Sequence, residues 1–376
     1  MEMKKTIVIE AQRIFRRKKH GMDFVALELI RELQKIDTHN SYIIAVGPGE
    51  DICLTETDNF KIEVLRSTNY MVWEQILLPR LLTKYKADLL HCTSNTAPIL
   101  IKTPLVLTLH DIIFMEDKMG NNASTYQKLG RIYRRFVVPF NLKKVRQIIT
   151  VSNFEKVNIL ARYPNLEHIT HAIYNGVGKE FVPPLPGANE TFQDLLKGSY
   201  WLFLGNTDPK KNMRNTLLGF AQYLEVSMVK RNLLLLDTDL NALDKLLEEL
   251  NISSIRPYLT ITGYISHDQL PQCYANAFAF LYTSLRESFG LPLIEAMACG
   301  TPVIGSNTSA IPEVAGKSVI YVDPNSPHSI AEAMILLEND SLLYNDLIQQ
   351  GLVHSKNYAW RNTATQTLLI YKSVLL

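Results

Sequence analysis

The stretch Glu287-Ser288-Phe289-Gly290-Leu291-Pro292-Leu293-Ile294-Glu295-Ala296-Met297-Ala298-Cys299-Gly300-Thr301-Pro302-Val303-Ile304 decides how this chain is read. Ahead of it, the apolar run Ala277 to Tyr282 is bounded as a buried strand is. Leu291 to Ala298 reads as a helix closed by Gly300, and Val303-Ile304 opens a further strand. The order strand, loop, helix, strand puts Glu287 and Gly290 in a loop at the carboxyl end of a strand, with Glu295 inside the helix. The first amides of such a helix have no intrahelical partner, and in open α/β folds this is where phosphate-bearing ligands bind.

Working outward, strands alternate with helices along the whole chain, as in βαβ units of an α/β protein. In the first half, strands are expected near Thr6-Glu10, Tyr42-Val46, Ile62-Leu65, Asp88-Cys92, Pro104-His110 and Gln147-Val151. A turn at Asn175-Gly176 precedes the proline-rich Val182-Pro183-Pro184-Leu185-Pro186-Gly187, the expected interdomain linker. A second series follows at Tyr200-Leu204, Asn232-Asp237, Tyr258-Thr262, Ala277-Tyr282, Pro302-Gly305 and Ser318-Val322, then a last helix from about Asn362 to Val374. The 376 residues suit two domains, each able to bury its own core.

Composition narrows the class. Hydrophobic residues make up 47% and charged ones 20%, a globular balance, and a net charge of +2 gives no reason to expect nucleic acid. Cys53, Cys92, Cys273 and Cys299 show no ligand spacing and fall in or beside apolar segments, which favours reduced thiols in a cytoplasmic protein over disulfides or zinc. The amino terminus carries no signal-peptide core, and no stretch approaches the length of a membrane span, so neither is expected.

With these residues in view, Glu287-Ser288-Phe289-Gly290 through Glu295-Ala296-Met297-Ala298-Cys299-Gly300-Thr301-Pro302-Val303 resembles the Glu-x7-Glu signature of retaining nucleotide-sugar glycosyltransferases of family 4. The resemblance runs from His20-Gly21 to the last helix and is strongest from Tyr200 to Pro324. It implies the GT-B architecture: two facing Rossmann-like domains with parallel sheets, and a C-terminal helix crossing back to the first. The implied boundaries are 1–182, 183–360 and 361–376. Taken alone, Glu295 could be a solvated helix glutamate, since Glu is a good helix former; the flanking match favours a functional one.

The resemblance also assigns roles. Gly205-Asn206-Thr207-Asp208-Pro209-Lys210-Lys211-Asn212 is similar to the family's loop whose basic pair holds the donor diphosphate, with Lys211 at the lysine position. Many members carry arginine where Asn206 stands, so Lys210 is the candidate for the second charge. Lysine suits the task because three rotatable donors on a compact charge can meet several phosphate oxygens. Two solvated lysines at a helix start are the plainer alternative. Glu287 would hold donor-sugar hydroxyls, Glu295 the ribose, the backbone near Gly263-Tyr264-Ile265 the base, and Phe289, Gly290 and Leu291 would complete the donor site. His110, at the end of the apolar strand Pro104 to Leu109, matches a histidine lining the donor-sugar pocket; Asp111 either orients it or caps the next segment. His20-Gly21 resembles the family's glycine loop, where a missing side chain lets amides approach phosphate.

The implied activity is that of a retaining hexosyltransferase. It moves a sugar from a nucleoside diphosphate, with a lean to GDP-mannose, onto a hydroxyl of a glycan or lipid-linked acceptor in cell-surface polysaccharide synthesis. His110, Lys211 and Glu287 are the catalytic candidates. No cofactor is expected beyond the donor substrate. No metal is expected either, because Asp237-Thr238-Asp239 has metal-site spacing but sits where a strand-to-helix turn explains it. The basic tracts Arg16-Arg17-Lys18-Lys19 and Arg131 to Arg146, the latter interleaved with Phe136, Val137, Val138 and Phe140, read either as solvated faces or as a peripheral contact with the inner face of the membrane. Two other classes stay open. An NAD-type oxidoreductase lacks the Gly-x-Gly-x-x-Gly turn and its acidic partner. A catalytically decayed nucleotide-sugar-binding or scaffolding protein is opposed by the intact His110, Lys211, Glu287 and Glu295.

Overall fold

A computed structural model of the chain describes residues 3–116, 125–184, 200–205 and 208–376. The chain divides into two compact units, 1–176 with 360–376, and 177–359. The first holds a sheet of seven parallel strands: β1 (Thr6–Glu10), β2 (Ser41–Val46), β3 (Phe60–Val64), β4 (Leu89–Cys92), β5 (Leu105–Thr108), β6 (Gln147–Thr150) and β7 (Thr170–Ala172). Their order is β3-β2-β1-β4-β5-β6-β7. The second holds six: β8 (Tyr200–Leu204), β9 (Leu233–Leu236), β10 (Leu259–Ile261), β11 (Ala277–Tyr282), β12 (Val303–Ser306) and β13 (Ile320–Val322), in the order β10-β9-β8-β11-β12-β13.

The central strands of both sheets, such as Leu233–Leu236 and Ala277–Tyr282, are near-continuous buried apolar runs, as expected of parallel strands covered on both faces. In each, the strand order reverses beside the first strand, between β1 and β4 and between β8 and β11. At such a switch point the two neighbouring crossovers leave on opposite faces, and a crevice opens at the carboxyl ends of the strands. Both candidate sites lie at these ends. The strand the sequence did not announce is β7, whose Thr-His-Ala carries no apolar run.

The boundary differs from the expected one. Val177 bridges Ala359 and donates to the Tyr358 carbonyl at 3.0 Å, while the Phe181 ring packs 5.2 Å from His267. Residues 177–184 therefore belong to the second unit rather than to a linker, and residues 185–187 of the expected linker lie outside the described residues. The last helix, Trp360–Leu375, packs in the first unit beside the helix Gly21–Ile36. Its Tyr371 is fully buried, and the hydroxyl meets His91 Nδ1 at 2.6 Å. Cys92, Cys273 and Cys299 are buried free thiols, and Cys53 is half-buried.

Candidate active site

In the second unit the site is built on β11. Its last residue, Tyr282, is buried and followed by Thr283 and Ser284, also buried, before the loop carrying Glu287. The Lys211 loop is pinned to this strand end. Asn212 takes a left-handed conformation at φ 65°. Its Nδ2 donates to the Thr283 carbonyl at 2.9 Å and the Pro324 carbonyl at 2.6 Å. Asparagine tolerates that backbone geometry, and the two bonds fix the turn ahead of the helix Met213–Val226. The Leu285 amide closes the arrangement by donating to the Lys210 carbonyl at 2.7 Å.

The outcome is an ion pair. Lys211 Nζ lies 2.7 Å from Glu287 Oε1, with both side chains largely shielded. Burial pushes the Glu287 carboxyl up, but the charge and hydrogen bond of Lys211, with Lys210 further off, outweigh it and hold the group below the ordinary glutamate value. Lys210 itself is half-exposed and 3.6 Å from Asp208. The Tyr282 hydroxyl, raised by burial and by the neighbouring Glu287 charge, completes the cluster. Gly290 follows at φ 112°, and a Cβ there would meet the Tyr282 ring and hydroxyl at 3.3 Å. Backbone conformation and close approach thus both require glycine. It caps the helix Leu291–Ala298.

Glu295 is one turn into that helix and buried. Tyr274 Oη donates to its Oε2 at 3.2 Å, and His267 Nε2 stands 3.6 Å from Oε1. The other His267 nitrogen faces Glu180 at 3.7 Å. The Phe289 side chain is buried, with its ring 5.8 Å from the Tyr358 ring. Tyr264 and Ile265 follow β10 at the edge of the sheet, with the Tyr264 side chain 40% exposed. Asn206 lies outside the described residues. Asp239 caps the helix Leu240–Glu249 through the Ala242 amide, 2.8 Å, as a strand-to-helix turn should.

In the first unit, His110 follows β5 and is 6% exposed. Its Nε2 is 2.9 Å from the Thr93 carbonyl, and its amide donates to Asn95 Oδ1 at 2.6 Å. A carbonyl only accepts, so Nε2 carries the proton and Nδ1 is left as an acceptor. Burial lowers the imidazole pKa, against the opposing pull of the Thr93 carbonyl and Asp111. Asp111 Oδ1 also accepts from the Ile113 amide at 3.1 Å, so it caps the next turn. Gly21 opens the helix Gly21–Ile36, where the His20 amide donates to Asp23 Oδ2 at 2.9 Å and Arg13 pairs with Asp23 at 3.1 Å.

Residues 191–353 match the family described as Glycosyl transferases group 1, and residues 20–181 match Glycosyltransferase Family 4. O-antigen chain mannosyltransferase B of Escherichia coli is 30% identical over 275 residues, covering 71% of this chain and 70% of that protein. The chain belongs to the group 1 glycosyltransferases. This glycosyltransferase is also 27% identical over 281 residues to O-antigen chain mannosyltransferase RfbU of Salmonella typhimurium, 74% of this chain and 73% of that one. Its fold is the GT-B fold. Sucrose-phosphate synthase from Thermosynechococcus elongatus aligns at a TM-score of 0.77 with 18% identity over 99% of each chain. Anabaena HepE in complex with UDP-glucose aligns at 0.74 with 16% identity over 98% of this chain and 99% of that one.

Within the second unit of the glycosyltransferase, Lys211, Glu287, Gly290 and Glu295 gather around Tyr282. Tyr282, His267 and Asn212 had no role assigned in the reading of the sequence. Only Tyr282 carried a signal, as the last residue of an apolar strand run immediately before the loop.

Proposed function

We propose that the enzyme is a retaining transferase that moves a sugar from a nucleoside diphosphate, with GDP-mannose the leading donor, to a hydroxyl of a glycan or lipid-linked acceptor in cell-surface polysaccharide synthesis. The Lys211–Glu287 pair at the carboxyl end of β11, 2.7 Å apart and beside a glycine-capped helix start, carries the reading. A shielded ammonium there offers charge to a leaving diphosphate, and a carboxylate kept ionised by that ammonium can accept hydrogen bonds from sugar hydroxyls. Mannosyltransferases among the relatives support mannose, and their O-antigen setting supports the pathway class.

In the reaction, the bond from the anomeric carbon to the diphosphate oxygen breaks and the acceptor oxygen bonds to the same face. The acceptor proton passes to the departing phosphate oxygen. Lys211, aided by loop amides near Gly290-Leu291 and Gly21, balances the charge that grows there, with no metal required. Neutral His110 accepts a sugar hydroxyl at Nδ1. Glu295 holds the ribose, and the backbone near Tyr264-Ile265 receives the base.

A thermal-shift series with GDP, UDP and ADP tests the donor class, since a ligand at a hundred times its dissociation constant stabilises by about 2.7 kcal/mol. GDP should give the largest shift. Turnover of GDP-mannose in EDTA, with the product anomer read by NMR, then tests the chemistry. An inverted product or a strict need for divalent metal would remove the mechanism, and binding without turnover would leave a decayed enzyme.

A further inference from the structure

The helix Thr125–Leu142 has two apolar faces where one would suffice. Val137, Val138 and Leu142 are buried in the core of the first unit, which accounts for one. Leu129, Ile132, Phe136 and Phe140 make the other and are 56%, 64%, 60% and 40% exposed. Their spacings of three, four and four residues hold them within an arc of about 80°, along about 16 Å of helix. A bare stripe containing two phenylalanines is costly in water unless something covers it.

Charge identifies the cover. From Thr125 to Arg146 there is no acidic residue, while Lys128, Arg131, Arg134, Arg135, Lys143, Lys144 and Arg146 are all basic. Arg131 and Arg135 are partly committed, since both donate to the Phe114 carbonyl. Lys143, Lys144 and Arg146 cluster just past the helix end. There a cavity of about 360 Å³ lies between the segment 98–105 and the residues after the helix, lined by Lys102, Lys143, Lys144 and Arg146. Lys144 Nζ is held at its wall by the Ile99 carbonyl at 3.0 Å. Leu100, in the same segment, is 82% exposed. Four cations converging on a cavity are suited to a phosphate group, and an exposed apolar stripe alongside is suited to acyl chains. The cavity is at the amino-terminal ends of β5 and β6, the edge of the sheet opposite His110, so it is no part of the site described above.

We propose that this face docks on an anionic phospholipid bilayer, with the helix lying in the interface, Phe136 and Phe140 entering the acyl boundary, and a lipid phosphate seated among Lys102, Lys143, Lys144 and Arg146. The contact is independent of the donor reading, because vesicle binding requires no sugar transfer; its failure would leave the proposed function standing.

The test is flotation of the full chain with vesicles of phosphatidylcholine containing roughly 30% phosphatidylglycerol, against phosphatidylcholine alone, at low and high salt. The chain should float with the anionic vesicles and lose them as salt rises. Each exposed lysine near an anionic surface contributes about fivefold, so Lys143→Ala with Lys144→Ala should lower partitioning about 25-fold. Phe136→Ser with Phe140→Ser should lower it by a comparable factor at unchanged melting midpoint. Should the phenylalanine pair fail to fold, the exposed lysine pair decides alone. Equal binding to neutral vesicles, no binding to either, or binding that both pairs leave intact would overturn the proposal. So would displacement by inorganic phosphate beyond the effect of chloride at matched ionic strength, which would assign the cavity to a free anion. Dimers that the phenylalanine pair converts to monomers, without vesicle binding, would make the face a protein interface instead.

Discussion

The carboxyl ends of the two sheets are built on one topology and handle charge in opposite ways. At β11, a lysine and a glutamate stand 2.7 Å apart and both are charged. At β5, the titratable group is a buried histidine tied to a backbone carbonyl, and burial keeps it neutral. A second buried histidine, His91 on β4, is held between Tyr371 Oη at 2.6 Å and Thr108 Oγ1 at 2.7 Å, and its pKa falls to about 3 because burial disfavours the imidazolium. The same crevice geometry therefore serves two chemistries. The second unit sets an ion pair at its strand end, whereas the first sets a neutral imidazole at its own, with the Arg13–Asp23 pair on neighbouring elements.

Acid should separate the two ends most strongly. His91 has a folded pKa below its ordinary value of 6.5, so its contribution to stability is complete above pH 6.5 and is lost as pH falls toward about 3. The loss grows as pH falls through that window, with His110 acting in the same direction. Glu287 also has a lowered pKa, but its contribution is lost only below the ordinary glutamate value of 4.5. Hydrogen exchange at pH 5 should thus quicken in the first unit's strands while those of the second stay protected. Parallel quickening in both sheets would show that the contrast is wrong.

Lys211→Ala attacks the charged end directly. If this ammonium balances the leaving group, turnover should fall about 10²-fold to 10³-fold, the scale seen when one preorganised donor is removed. Glu287→Ala should also lower turnover, and it leaves a shielded ammonium without its partner. In the double variant the losses should not add, because the two residues form one unit. Additive losses would mean that the pair acts as two separate contacts.

How much of this was legible follows from how each site is encoded. The second unit's residues fall in two contiguous motifs, because a loop after one strand and the helix behind it supply Glu287, Gly290 and Glu295 together. The direction of the Phe289 ring, which faces Tyr358, was not legible, because proximity in sequence does not say which way a side chain points. The first unit spreads its groups over Arg13, His20, Thr93, Asn95 and His110, joined only by the order of strands β1, β4 and β5. No spacing rule finds such a set. The boundary was placed late for a related reason: Pro-Pro marks a turn, whereas the packing of Phe181 on His267 and Tyr274 is a tertiary fact.

Glu295→Ala sharpens the division within the charged end. A ribose contact persists with free nucleoside diphosphate, so the variant should weaken nucleotide binding by about tenfold, while Glu287→Ala acts chiefly on turnover. Calorimetric titration of both variants checks this. Unchanged nucleotide affinity in Glu295→Ala would take the ribose away from that residue.

The smallest effect is expected at His267. Its two nitrogens stand 3.6 Å from Glu295 and 3.7 Å from Glu180, longer than hydrogen bonds, and the Glu180 side chain is 48% exposed. Pairs of that kind contribute up to about 1 kcal/mol. His267→Gln should therefore weaken nucleotide binding by no more than about fivefold, and only through the freedom it gives the Glu295 carboxylate, which Tyr274 still holds at 3.2 Å. In the Glu295→Ala background the substitution should then have no further effect. If His267→Gln costs as much as Glu295→Ala, or still weakens binding when Glu295 is gone, the histidine itself touches the nucleotide and belongs to the charged end.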